Sequence, residues 1–537
     1  MGYDADSAAH ARQLYDAGRW AELAALPLSA DADLDYYRGM ALARLGRWEA
    51  ARENLEHGRR RAPQDKRFPT ELAGIAYREH RFLQAERLLR QTLHLDPADP
   101  YANNFLATLY LLDGNLDASL RHWNRIGKPR LRNITISPQP CLNPVLLDRA
   151  FLFAEGQVLT SGDFLATESR LDFSGVFPRY RFDLTPRPAG DFDLTVQAAE
   201  RNGWGESRLE GAASLLSGLP YQTVYPTFYK FRGKAVNFDS LARWDPQKQR
   251  LFGSLSGPLG RTAARRYGAY FDGRRENWDV LQNGTSFQMD KIAAGALLES
   301  REGGRWGWST GAEISHRTFS GVVSPAGADT LLQSGVALQY RAAADAFLLR
   351  APERRFTLAS SASVETGRML TRTGDVFSKL QGGLLARWFP QARGDDYATT
   401  LQFRAGKTFG QPPFDELFML GVERDNDLWL RAHAGTRDGR KGSAPLGRGY
   451  ALVNWDTGKI VYRHALFTAA IGPFLDTGKI YGDGPLDSSE WLWDTGLQCK
   501  LTLFSGVRVV LSWGRDLRTG RNAFYASPGL PAHPPAL

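Results

Sequence analysis

A chain of 537 residues can form two to four domains. It is 43% hydrophobic, carries 14 Trp, and has no run of 18 apolar residues, which excludes a transmembrane helix but not a transmembrane β-barrel, whose strands alternate apolar and polar. The net charge of +9 is spread through alternating segments with no recognition motif, so it excludes a nucleic-acid partner and points to anionic lipid head groups or charges inside a lumen and in loops.

Repeats open the chain. Residues 34–63 align with residues 68–97 at an offset of 34. Gly39, Ala73 and Ala107 form one column, Ala51, Ala85 and Ser119 a second, and Trp48, Phe82 and Leu116 a third, with Pro63 and Pro97 closing each block. Small residues let the two helices of a hairpin approach, the larger side chain fills the next groove, and Pro ends the second helix. Gly18, Arg19 and Trp20 echo Gly46, Arg47 and Trp48 and read as a degenerate cap. The pattern resembles tetratricopeptide repeats over residues 5–127. That resemblance implies a face for docking clients or periplasmic protein partners; a plain spacer is the alternative.

After Gly127-Lys128-Pro129 the helical pattern stops. Residues 133–138 are strand-like, residues 143–156 follow, and a helix is expected from Ser161 or Asp163 to Gly175. Two alternating strands then flank a turn at Pro188–Gly190. The order strand, helix, helix, strand, strand over residues 131–200 resembles a polypeptide-transport-associated (POTRA) domain. The segments Phe153 to Gly156, Thr167 to Leu171, Gly175 to Phe177 and Asp193 to Val196 carry the likeness. Such domains bind client chains by adding a strand to an exposed sheet edge.

From residue 205 to 527 the chain reads as repeated hairpins. Leu401, Phe403 and Ala405 oppose Gln402 and Arg404, and Leu497, Cys499, Leu501 and Leu503 oppose Gln498, Lys500 and Thr502. Charges facing a dry core are costly, whereas in a membrane barrel they face a wet lumen and the apolar side meets lipid. At about 20 residues per strand and turn, the length allows about 16 strands. The last strand is expected at 521–527, where Phe524 and Tyr525 serve as the terminal-strand signal, before a Pro-rich tail at 528–537 that cannot donate to a ladder.

One stretch organises this region. In residues 472–481, Gly472, Phe474, Asp476 and Gly478 share a strand face. An acid beside glycines and a ring suits the inner face of a barrel that admits an inserted loop carrying a cation. The order of residues 414–421, Arg431-Ala432-His433, and then Phe474-x-Asp476-x-Gly478 resembles the BamA/TamA superfamily of outer-membrane proteins. There an Arg-Gly-aromatic loop tip folds into the barrel and meets the strand with the acid. The resemblance implies that Arg431 clamps to Asp476 and that His433 stands in for the aromatic member of the tip, with Ala432 where the family has Gly. Arg448-Gly449-Tyr450 is the alternative tip and runs straight into a strand-like segment.

No motif of hydrolytic or phosphate-binding chemistry occurs, and an enzyme is not expected. The nine His lack metal spacing, paired carboxylates appear only as exposed runs such as Asp395-Asp396, and Cys141 and Cys499 fall in different segments, so neither a metal, another cofactor nor a disulfide is expected. The fold expected is a multidomain α + β chain: a helical array, a small α/β domain, and a transmembrane antiparallel β-barrel. The function implied is insertion or translocation of polypeptides at the bacterial outer membrane, with outer-membrane lipid and client polypeptides as partners and the N-terminal domains in the periplasm. A polysaccharide or solute export porin with a similar arm is the alternative. The first twenty residues have no basic and apolar leader, so the chain reads as one whose signal peptide is already absent.

Overall fold

The computed structural model describes residues 2–27, 31–324, 331–371, 374–391, 396–464, 467–482, 490–503 and 507–528. The Pro-rich tail beyond 528, and Asp395, lie outside these residues. The chain divides into two compact units. One is Met1–Leu131 with Gly156–Ser161 and Arg187–Phe192; the other is Arg132–Glu155, Gly162–Pro186 and Asp193–Leu537.

The first unit is a run of helix hairpins, among them Ala32–Arg44 with Trp48–Arg61, Arg67–Arg78 with Phe82–Leu95, and Pro100–Leu112 with Leu116–Trp123. Ala73, Ala107, Ala51, Ala85 and Ser119 are fully buried where the helices meet. The first helix of each pair ends the same way. Gly46, His80 and Gly114 take left-handed backbone, and the next residue donates its N–H back to the carbonyl of Leu42, Ala76 or Tyr110. The repeat therefore extends to the cap, with His80 in a conformation that its two counterparts reach as Gly.

Arg130–Ser137, Asp191–Ala199 and Arg179–Pro186, most of whose residues fall in the second unit, form a three-stranded sheet with Asp191–Ala199 central; Arg179–Pro186 is one edge and Arg130–Ser137 the other, bridged at its start from Arg130 to Val158. Helices Pro144–Ala150 and Ser161–Ser174 accompany it, and Gly175, at φ +68°, ends the second. Arg149 donates to the carbonyl of Arg261, Arg170 to that of Glu302, and the Asn237 amide to that of Ser174. These contacts put the α/β segment against the turns at one end of the large sheet.

That sheet is antiparallel apart from one parallel bridge, Lys441 to Trp278, and among the described residues it has 18 strands: fourteen long ones from Asn237–Asp245 to Asn522–Pro528, two short pieces at the first edge, and two, Thr436–Arg437 and Arg440–Lys441, contributed by the connection 411–448. The expected count of about 16 is too even a division of the chain. Residues 411–448 form one long connection instead of a further hairpin, and the first edge is broken into Thr223–Val224 and Thr227–Phe228, with Pro226 between them. The helix Arg208–Leu216, capped by Ser207, stands where strand was expected to begin. The register runs from strand to strand through to Asn522–Pro528, and among the described residues none pairs that strand with the first edge. Outward side chains are apolar along strand after strand: Leu251, Ile292, Ile314, Leu338, Leu384, Leu401, Ile471 and Leu497 are all exposed. Exposed rings (Trp244, Trp306, Trp388, Tyr462, Tyr481, Trp493) stand near strand ends.

Candidate functional site

The connection 411–448 leaves the sheet at the end opposite the α/β segment and folds back between the inward faces of its strands. Its contacts reach strands from nearly the whole sheet, so the sheet curls around it. Apolar residues seat it first: Phe414 packs edge-on against Trp278 and Phe287 at 5.0 and 4.8 Å between ring centroids, and Phe418 lies against Tyr450 at 4.7 Å. Three polar anchorages then fix its register.

The first is acidic. Asp415 accepts from Lys291 at 2.9 Å and Arg317 at 2.8 Å, and Glu416 accepts from the Gln339 amide at 2.7 Å. Burial raises the Glu416 carboxyl, but Lys291, Lys379, Arg317 and Arg341 outweigh it and hold the group below its ordinary range. The second is acidic as well. Asp425 accepts from Arg243 at 2.8 Å and Arg250 at 2.7 Å, and Glu423 from Lys248 at 3.3 Å. Burial again pushes Asp425 up, while Lys441, Arg250 and Arg243 keep it well below the usual carboxylate range. Lys441, itself a loop residue, joins Asp425 to Glu276.

The third anchorage has the opposite sign. Arg431 donates through Nε to Asp476 Oδ2 at 2.8 Å, through Nη2 to Oδ1 at 2.6 Å, and through its backbone N–H to Oδ2 at 3.1 Å. Its Nη1 donates to Gln498 Oε1 at 3.1 Å, and its guanidinium lies 3.8 Å from the centre of the Phe474 ring. The Asn454 amide donates to Asp476 Oδ1 at 2.8 Å. Strand Phe467–Tyr481 alternates so that Gly472, Phe474, Asp476, Gly478 and Ile480 face in. Glycine supplies clearance at two points. A Cβ on Gly478 would come within 3.1 Å of Leu420, and one on Gly514 within 2.5 Å of the Arg431 carbonyl oxygen.

Next to this pair, Ala432 N–H donates to Asp494 Oδ2 at 2.6 Å, and His433 Nδ1 lies 3.0 Å from the same oxygen. Asp476, Asp494 and Asp516 are register partners on three consecutive strands, a row of inward carboxylates that are all buried. The expectation that paired carboxylates occur only as exposed runs is thus wrong. Asp415-Glu416 is buried among cations, and the three-strand row combines residues far apart in sequence. His433, read from sequence as an aromatic stand-in, touches carboxylates.

Arg448 donates to the Gly410 carbonyl at 3.2 Å at the mouth of the loop, and Gly449-Tyr450 begin strand Gly449–Arg463, with Tyr450 facing in. Phe524 points out and is 69% exposed, while Tyr525 points in and its ring lies 6.1 Å from that of Trp429. Sequence reasoning missed Asp415, Glu416, Glu423, Asp425, Asp494 and Asp516. Their common signal is an acid on an inward strand face or in the loop 411–448, but their partners lie on other strands.

No family model and no curated protein matches the chain. Among solved structures it is similar to BamA from Haemophilus ducreyi lacking POTRA domains 1–3 (12% identity, 75% of this chain and 85% of that one, TM-score 0.44). It is also similar to CdiB from Escherichia coli (13%, 74% and 76%, TM-score 0.48) and to CdiB from Acinetobacter baumannii (11%, 81% and 80%, TM-score 0.44).

Proposed function

We propose that this chain is an outer-membrane protein of the BamA/TamA type that inserts or translocates polypeptides, its curled sheet spanning the membrane and its N-terminal segments lying in the periplasm. The observation that carries the reading is the loop 411–448 drawn into the sheet, with Arg431 seated on Asp476 and Phe474. Such a plug suits a passage that opens for a chain rather than a standing pore. The apolar outward faces suit lipid. The seam supports the same reading: two-residue edge pieces on one side and the seven-residue strand Asn522–Pro528 on the other offer little pairing, so a client strand could add there through main-chain hydrogen bonds. The edges of the three-stranded sheet would receive clients before the seam does, and the helical array would dock them or a periplasmic partner. No nucleotide is required; burial of client apolar surface in lipid drives the step.

Single-channel conductance of the refolded full chain, with and without residues 424–447, tests this. A small, flickering conductance that grows on deletion is expected. A large, steady conductance indifferent to the deletion would overturn the reading in favour of a solute or polysaccharide exporter.

A further inference from the structure

The aspartate row is not balanced by what the loop brings. Three buried carboxylates on neighbouring strands face one guanidinium and one imidazole, and Arg431 is spent on Asp476. Asp494 and Asp516 are left with His433. Its Nδ1 lies 3.0 Å from Asp494 Oδ2, and its Nε2 lies 3.9 Å from Asp516 Oδ2. One donor atom from each of the three residues lies within 4.8 Å of the other two. Asp494 is fully buried, and its second oxygen, Oδ1, has no hydrogen-bond partner among the described residues. Asp516 is also held by its own turn, accepting from the Arg518 N–H at 2.9 Å and from the Thr519 hydroxyl.

We infer that His433, Asp494 and Asp516 form a site for one divalent transition-metal ion. An uncompensated carboxylate oxygen in a dry site is costly, and a divalent ion would bring the row to neutrality together with Arg431. The donor set selects the class of ion. An imidazole nitrogen with two carboxylates suits Zn²⁺ or its neighbours in the first row, whereas Ca²⁺ and Mg²⁺ take all-oxygen shells. Ligand atoms about 2.0–2.2 Å from zinc stand little more than 3 Å apart, so a set spread over no more than 4.8 Å closes with shifts of up to about 1.5 Å. Nδ1, 3.0 Å from Asp494 Oδ2, is the ring nitrogen placed to share the ion with that carboxylate, which leaves the ring proton on Nε2. The ion would tie the loop tip to strands Leu492–Leu503 and Val507–Asp516, next to the Arg431 clamp on Phe467–Tyr481. It rests on the seated loop of the proposed function.

The test uses the full chain without a polyhistidine tag, stripped with chelator and dialysed against Zn²⁺, Ca²⁺ or Co²⁺ in turn. Expected are about one bound Zn²⁺ per chain, no bound Ca²⁺, and a Co²⁺ ligand-field absorption band. In H433Q and D494N, Zn²⁺ affinity should fall by about 10–100-fold or more and the Co²⁺ band should disappear. Heat-modifiable migration checks that both variants remain folded. Wild-type protein that holds no Zn²⁺, or variants that bind it as wild type does, would overturn the site. If Zn²⁺ is not bound while the conductance of the intact chain stays small, the metal site fails and the plugged barrel stands. If the intact chain conducts freely, it is the seated loop that fails.

Discussion

Arg431 and Asp476 meet where water barely reaches, and that sets the cost of separating them. A buried pair is a weak source of net stability, because desolvation offsets the attraction, but deleting one partner strands the other's charge. Arg431→Ala and Asp476→Ala should therefore each weaken loop seating by about 3–5 kcal/mol. The midpoint of heat-modifiable migration should fall in both. Arg448→Ala, which removes an exposed hydrogen bond to the Gly410 carbonyl at the loop mouth, should lower it less than either of these. If Arg448→Ala lowers the midpoint more than Arg431→Ala does, the clamp has been placed on the wrong residue. Phe474 and Gly514 complete the seat at this scale, one as a ring under the guanidinium and the other as the space its main chain needs.

Among the elements, the loop reads as a key with signed teeth. Its two acidic anchorages face cations on strands from Asn237–Asp245 to Val376–Trp388, and its basic tip faces the aspartates of Phe467–Tyr481 onward. A shifted loop would bring like charges together, so the charge pattern specifies one seating. In the helical unit, close packing does the specifying. Gly58 lies inside helix Trp48–Arg61, where Ala would ordinarily gain about 1 kcal/mol of helix propensity. A Cβ there would run into the Phe68 ring, which is fully buried. Overpacking costs about 1–3 kcal/mol, so Gly58→Ala should lower the thermal midpoint of the helical signal. A raised midpoint would mean that the two helices can part freely.

At the scale of the whole molecule, the sheet is inverted relative to a soluble protein: charges are buried inside and Leu, Ile and Trp are exposed outside. In lipid, as proposed, those outward residues would be in their own medium. Leu384→Arg, near the middle of strand Val376–Trp388, should destabilise the bilayer-reconstituted protein by about 2–4 kcal/mol. Leu83→Arg, on an exposed face of the helical unit, should change stability by no more than about 0.5 kcal/mol. Denaturant unfolding in liposomes measures both, and equal effects would rule out a lipid-facing sheet.

The sequence by itself determined the local elements. Period-34 columns specify the helix hairpins, period-2 alternation specifies which strand side chains face in, and the spacing of Phe474, Asp476 and Gly478 puts an acid, a ring and a gap on one inward face, because these are properties of neighbours along the chain. It did not determine the strand count, since a loop that turns inward uses up chain as a hairpin would. Nor did it disclose the row of Asp476, Asp494 and Asp516, or the partners of Asp415 and Asp425. Those depend on register between strands and on where a long loop comes to rest, and only the folded sheet brings together residues 182 positions apart, as with Arg243 and Asp425.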